Sequence, residues 1–204
     1  MRVTKLEPVT KTKYKVYLDE QFAFVLYKGE LSRYKIQEET EISWATVDEI
    51  KKDILVKRVK RRALYLLNHM DRTEQQLRTK LKNDLYSEDM IDIAMDYVKS
   101  FGYVEDYGYA KRYVESKRIS KSKEEIKVRL LQKGLSRDVM EMIMEESCSE
   151  QDDMMAIKNI LTKKRYEDSS ATEQEKRKMC GYLLRRGFKH EDIRQVIQVS
   201  FGNA

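Results

Sequence analysis

The sequence contains little that interrupts a helix and little that crosslinks a chain. Only one proline and seven glycines occur among its 204 residues, so the composition favours helices. The two cysteines, Cys148 and Cys180, are too few and too far apart to suggest a disulfide framework, which fits a reducing cytoplasm. No run approaches the roughly 18 apolar residues of a membrane helix, and the first residues lack the apolar core of a signal peptide. We therefore expect a cytoplasmic protein without a membrane partner.

Signatures of nucleotide binding and of metal ligation are also missing. The sequence has no GxxxxGK[ST] loop and no GxGxxG, so a bound nucleotide has no recognisable phosphate cradle. The histidines, His69 and His190, are distant from each other and form no close pair with a cysteine, which leaves a zinc site unsupported. The adjacent acids Glu105 and Asp106 resemble a helix start more than a metal site. A nuclease built from distant acids stays open, but we expect no enzymatic activity and no cofactor.

Charge, by contrast, is abundant. Asp, Glu, Lys and Arg make up 37% of the chain, and the net charge is +6. This balance permits a polyanionic partner without requiring one. The densest run of one sign lies between residues 51 and 62, where seven basic residues face the single acid Asp53. Because such a run repels itself, we expect counter-charge from elsewhere in the fold.

A helix-turn-helix unit recurs along the chain. Residues 122–143 align with residues 73–94, and a third copy follows 53 residues later. Each copy begins near a Ser or Thr with an acid or amide three residues on, which is typical of a capping box. Gly134 and Gly187 mark the turn in the later copies, whereas the first copy must turn at Asn83 or Asp84. The aligned apolar positions are Leu77, Leu81, Tyr86 and Ile91; Ile126, Leu130, Leu135 and Met140; and Met179, Leu183, Phe188 and Ile193.

A further helix precedes each copy, which predicts a mainly α protein. The units become three tandem three-helix repeats, at 46–102, 103–147 and 148–204, that stack into an elongated, curved solenoid. Residues 1–45 differ, since the β-rich runs 14–18 and 22–26 predict a small β-hairpin extension. A short helix near residue 30 and an edge strand at Glu41 follow in this prediction. Trp44 is expected to anchor the extension by packing, just before a long helix that begins near Thr46.

The chain resembles the RecX family of bacterial recombination regulators. The likeness spans about residues 52–199 and is most specific at Phe-Gly-Tyr-Val-Glu-Asp, residues 101–106, with Tyr109 and Ala110 after it. The resemblance implies a non-enzymatic, monomeric protein that binds the RecA recombinase filament on DNA. It further implies restraint of ATP hydrolysis, strand exchange and coprotease activity, with contacts to single- and double-stranded DNA that lack strong sequence preference.

The charge pattern within the repeats indicates where such contacts would lie. The helix before each turn is basic and the helix after it is acidic, so stacked repeats would align basic helices on one side. A sequence-specific helix-turn-helix repressor is the alternative, but its recognition helix would carry carboxylates towards phosphates. The predicted DNA or filament contacts are Arg58, Arg61, Arg62, Arg72, Lys127, Arg129, Lys133, Arg177, Arg185 and Arg186.

Overall fold

A computed structural model describes residues 1–197, which form two compact units. The first unit is Met1–Glu105, and the second begins at Asp106. The architecture is mainly α-helical, as predicted, with one small sheet near the amino terminus. The first unit contains the sheet and the first three-helix segment, and the second contains the other two segments.

The sheet has three antiparallel strands, one more than the predicted hairpin. Strands β1 (Val3–Pro8), β2 (Lys13–Leu18) and β3 (Gln21–Tyr27) pair in the order β1-β2-β3. Between β2 and β3, Asp19 and Glu20 both adopt positive φ, 47° and 67°, as a two-residue turn that follows the strand twist requires. The predicted edge strand at Glu41 is reduced to one isolated bridge to Arg2.

Eleven helices follow within the described residues. Those of the first unit are α1 (Lys28–Arg33), α2 (Trp44–Ile50), α3 (Val56–His69), α4 (Glu74–Asn83) and α5 (Glu88–Ser100), with one π-helical turn at Lys51–Leu55 between α2 and α3. Those of the second unit are α6 (Asp106–Lys117), α7 (Lys123–Gln132), α8 (Arg137–Ser147), α9 (Asp152–Lys163), α10 (Glu173–Arg185) and α11 (His190–Val196).

The sheet shares one core with the first helices, as its small size demands. Val16 and Leu26 from the sheet and Val59 and Ala63 from α3 are fully buried in the same apolar cluster. In the second unit, α6–α8 enclose one apolar cluster and α9–α11 another. Each three-helix segment of the second unit therefore has its own core.

The prediction that Trp44 anchors the extension is wrong. Its side chain is 74% exposed, because the residue opens α2 and lies next to the N-cap. The cap is Ser43, whose hydroxyl accepts the Thr46 N–H at 3.1 Å, so the helix begins before the predicted Thr46. The first residue of a helix points away from the packed turns unless a neighbour covers it, and here Val47 and Ile50 face the core instead.

The turn of the first segment also lies elsewhere than predicted. Leu85 adopts the left-handed conformation, at φ 68°, where the aligned Gly134 and Gly187 have φ 86° and 83°. Asn83 still belongs to α4, and Asp84 is its C-cap with φ −80°. The next amide, of Tyr86, donates back to the Leu81 carbonyl at 3.2 Å, which closes the helix end in the Schellman manner. The left-handed residue therefore occupies the same aligned position in all three segments, even though that residue is leucine in the first.

Candidate nucleic-acid interface

The arginines of α3 are largely engaged inside the first unit. Arg58 donates to the Val25 carbonyl at 3.1 Å, pairs with Glu30 and stacks 4.7 Å from the Tyr27 ring centre. Arg62 donates through Nε to an Asp84 carboxylate oxygen at 2.7 Å, and this hydrogen bond raises the pKa of Arg62. Both predicted contact residues therefore hold segments of the fold together.

Three of the remaining cations of the run meet the counter-charge that the sequence pattern required. Lys51 pairs with Asp89 at 3.0 Å, and Lys52 and Lys57 pair with acids one turn earlier. Arg61 differs, since it is exposed and forms no ion pair with any described residue. Arg72 is half-buried, and its Nε lies 3.4 Å from the Leu66 carbonyl oxygen. Of the four arginines predicted in this unit, Arg61 is the one left available to an external anion.

The basic and acidic helices of the first segment neutralise each other. Arg78 on α4 pairs with Asp92 on α5 at 2.7 Å, and Lys82 pairs with Glu88 at 2.7 Å. These exposed pairs contribute little stability individually. They do remove the positive face that the alternating helix charges predict for this segment.

The second unit leaves its basic helices open. Lys127, Arg177 and Arg185 form no ion pair within the described part of the chain, and Arg177 and Arg185 are exposed. The Lys133 ammonium lies 5.4 and 5.3 Å from the ring centres of Tyr109 and Tyr113. Cations without an acidic partner in the described chain therefore lie on both α7 and α10, at Lys127, Arg177 and Arg185.

A groove of about 800 Å³ joins the end of α10 to one face of α7. Three of the predicted residues, Arg129, Arg185 and Arg186, line it together. It also contains Glu124 and Glu125, but the Glu125 carboxylate is paired with Lys121 and lies 3.9 Å from Arg129 Nε. The Arg185 and Arg186 guanidinium groups have no carboxylate partner among residues 1–197. The groove is thus a place where an anion could be held by more than one guanidinium group.

Backbone contacts hold the two walls of the groove together. The buried Ser122 hydroxyl accepts the Glu125 N–H at 3.0 Å and donates to the Arg186 carbonyl. The Lys123 N–H donates to a carboxylate oxygen of Asp153 at 2.8 Å, and burial raises the pKa of that carboxyl. These bonds connect α7 to α9 and to the end of α10, so the groove arginines sit on fixed backbone.

Gly187 allows the close approach at this junction. Its φ is +83°, and a Cβ there would lie 3.1 Å from the Ser122 hydroxyl oxygen and 3.2 Å from Glu124 Cβ. Both the left-handed conformation and the lack of space therefore favour glycine.

Two residues missed by the sequence analysis extend the basic surface. The Tyr182 ring lies between the Arg186 guanidinium at 5.0 Å and the Lys164 ammonium at 4.3 Å from its centre. Tyr182 stands four residues before Arg186 on the same helix face, a spacing that could have been noticed. Lys164 follows α9 and reaches the ring only through the fold, so no sequence signal pointed to it.

Three consecutive three-helix segments, with cations gathered at the junction of two of them, define a tandem helical-repeat protein with a basic groove. The model of the RecX first three-helix domain matches residues 60–97, and that of the RecX third three-helix domain matches residues 150–197. The matches fall on the first and third segments, in chain order. Both models describe domains of the RecX family, to which this chain is therefore similar in two of its three segments.

The chain is similar to several relatives and to a solved structure over most of its length. Regulatory protein RecX of Clostridioides difficile is 28% identical over 203 residues, covering 96% of this chain and 93% of the relative. That of Clostridium botulinum is 28% identical over 97% and 95% of the two chains. A crystal structure of regulatory protein RecX has a TM-score of 0.60 at 21% identity, covering 97% and 98%, and RecX from Lactobacillus salivarius has a TM-score of 0.57 at 20% identity, covering 71% and 95%.

None of the helices in the described residues is both long enough and apolar enough to cross a bilayer. Residues 1–197 contain no group of three or more His, Cys, Asp or Glu side chains arranged to hold a metal ion.

Proposed function

We propose that this protein is a non-enzymatic regulator that binds the RecA–DNA filament and restrains the recombinase. The activities restrained are ATP hydrolysis, strand exchange and coprotease function. The proposal is supported by similarity to the RecX family and by relatives named regulatory proteins. It includes a monomer that acts in the cytoplasm and contacts single- or double-stranded DNA without strong sequence preference.

The observation that carries the proposal is the groove of the second unit. Arg129, Arg185 and Arg186 converge on it, while Lys127 and Arg177 add unpaired charge to the same two helices. Guanidinium groups bind phosphate in a fixed planar geometry and keep their charge at any physiological pH. The groove therefore suits a phosphate backbone, either bare or within a nucleoprotein filament. Arg58 and Arg62 contribute less in this proposal, because internal acids already occupy them.

The test is reversal of one groove charge against reversal of a charge elsewhere in the same unit. Arg185→Glu is compared with Lys158→Glu, since Lys158 is an exposed α9 residue without an ion pair in the described chain. Each change lowers the net charge from +6 to +4. The assay adds each purified variant to RecA on single-stranded DNA and follows ATP hydrolysis, and it measures DNA affinity against salt.

We expect Arg185→Glu to weaken inhibition of ATP hydrolysis while Lys158→Glu behaves as wild type. For Arg185→Glu, the slope of log affinity for DNA against log salt concentration should become shallower by about one. One phosphate contact fewer means that fewer counterions are released on binding. If the two variants behave alike, the proposal that the groove binds the phosphate backbone is refuted. A preference of roughly a thousandfold for one duplex sequence would instead favour the repressor.

A further inference from the structure

Three aromatic side chains cluster at the carboxyl end of α5, the half-buried Tyr97 and the exposed Phe101 and Tyr103. The rings of Phe101 and Tyr103 are nearly parallel, with 16° between their planes and 5.6 Å between their centres. Tyr97 meets Phe101 edge-on, with ring centres 5.1 Å apart. Phe101 and Tyr103 are 56% and 57% exposed, although apolar area of this size is normally covered. We call Tyr97, Phe101 and Tyr103 the aromatic stack.

The backbone holds these rings in place. Gly102 separates Phe101 from Tyr103 and adopts φ +69°, which turns the chain so that the two side chains lie side by side. The Tyr103 N–H donates to the Val98 carbonyl at 3.0 Å, and the Gly102 N–H donates to the preceding turn at 2.8 Å. Val98 and Val104 are buried on either side. A flat ligand would therefore meet a surface that loses little conformational freedom on binding.

Unpaired positive charge lies beside the aromatic stack. The Lys60 ammonium is 4.7 Å from the centre of the Tyr97 ring and forms no ion pair with residues of the described chain. Arg61, the next residue of α3, is exposed and likewise has no acidic partner there. The other three cations of this helix, Lys57, Arg58 and Arg62, are paired, so Lys60 stands out because its ammonium lies over the Tyr97 ring of the aromatic stack.

We propose that the aromatic stack and Lys60 bind single-stranded nucleic acid. The outer ring faces stack on unpaired bases, and the ammonium group neutralises an adjacent phosphate, the combination that sequence-tolerant single-strand binders use. Paired bases in a duplex are already stacked on one another and cannot reach the rings. An apolar protein segment fits less well, since its binding would bury Lys60 and Arg61 without an acidic partner. The inference goes beyond the proposed groove, because this site lies in the other unit and selects one form of nucleic acid.

The test uses fluorescein-labelled oligothymidylate and a duplex of equal length, without recombinase. We expect the double variant Phe101→Ala/Tyr103→Ala to bind the single strand at least about fivefold more weakly. This factor is the lower end of the range for losing one base–aromatic stacking contact. Affinity for the duplex should stay within about twofold of wild type. Phe101→Trp/Tyr103→Phe keeps both rings and should retain binding. Trp44→Ala removes another exposed aromatic of the same unit and should also bind as wild type.

A crosslinking experiment locates the contact directly. Oligonucleotides carrying 5-bromodeoxyuridine are irradiated on the wild-type protein, and the linked peptide is identified by mass spectrometry. We expect linkage within residues 97–103. Equal loss of single-strand and duplex binding in the alanine variant, or linkage confined to other peptides, would overturn the proposal.

The outcome is separable from that of the regulatory proposal. Arg185→Glu should weaken binding of both nucleic-acid forms, whereas the aromatic variant should weaken one. Because no recombinase is present, failure to inhibit RecA leaves this measurement unaffected.

Discussion

Replacing Ser122 with alanine should destabilise the second unit more than replacing any exposed cap residue. The Ser122 hydroxyl has two roles, since it caps α7 and donates to the Arg186 carbonyl from a fully buried position. Loss of the cap costs about 1 kcal/mol. Leaving the part-buried Arg186 carbonyl without its hydrogen-bond donor costs about 1–3 kcal/mol more. We therefore expect Ser122→Ala to lower the free energy of unfolding of this unit by about 2–4 kcal/mol.

Ser136→Ala is the matched control. Ser136 caps α8 in the same unit, accepts the Val139 N–H at 3.3 Å and is exposed, so its loss should cost only about 1 kcal/mol. The single tryptophan, Trp44, lies in the first unit and does not report on α7 or α10. Hydrogen exchange followed by mass spectrometry, read on peptides of those two helices, measures the local free energy of opening.

The difference between the two variants isolates the hydrogen bond that connects the segments. If Ser122→Ala and Ser136→Ala lower protection of α7 and α10 by equal amounts, the bond to Arg186 contributes nothing. The reasoning about the groove walls would then fail, because that bond is a main link between α7 and the end of α10.

Two further predictions concern backbone strain and acid stability. Gly187→Ala should destabilise its unit by clearly more than the roughly 1 kcal/mol of a left-handed alanine, because the new Cβ would meet the Ser122 hydroxyl oxygen at 3.1 Å. A Cβ at Gly102 would have no atom within 4 Å, so Gly102→Ala should show only that backbone cost. Equal losses of stability in the two variants, measured by hydrogen exchange, would contradict this. The hydrogen bond from Lys15 lowers the pKa of Glu7 from 4.5 to about 2, so Glu7 stabilises the sheet above its ordinary pKa. Glu7→Gln should melt at lower temperature near neutral pH, a deficit that disappears as the pH falls from 4.5 towards 2, and a pH-independent deficit would refute it.

Local signals in the sequence were sufficient to predict the caps and turns of the helical repeats. Thr73, Ser122 and Thr172 each cap a helix, as the spacing of hydroxyl and acid predicted. Gly134 and Gly187 end helices in the left-handed conformation. Caps and turns involve residues within a few positions of one another, so their chemistry can be read without the fold.

The third strand and the exposure of Trp44 depended on tertiary structure. Strand β1 carries only a weak strand pattern. Besides pairing with the adjacent β2, it is held by Val3, whose N–H donates to the Thr40 carbonyl at 2.8 Å and whose carbonyl accepts the Glu39 N–H at 2.8 Å. Trp44 has the large apolar side chain expected of a packing anchor, yet no neighbouring element covers it. Whether an apolar side chain is buried depends on what packs over it, which local pattern does not specify.

The sequence by itself determined that this chain is basic, helical and repeated, because periodicity, capping and glycine turns are local. Only the tertiary structure decided which cations are available. Arg58 and Arg62 meet acids 28 and 22 residues away, whereas Arg185 and Arg186 meet none within residues 1–197. An ion pair depends on distance in space, and the sequence pattern alone contains no such distances.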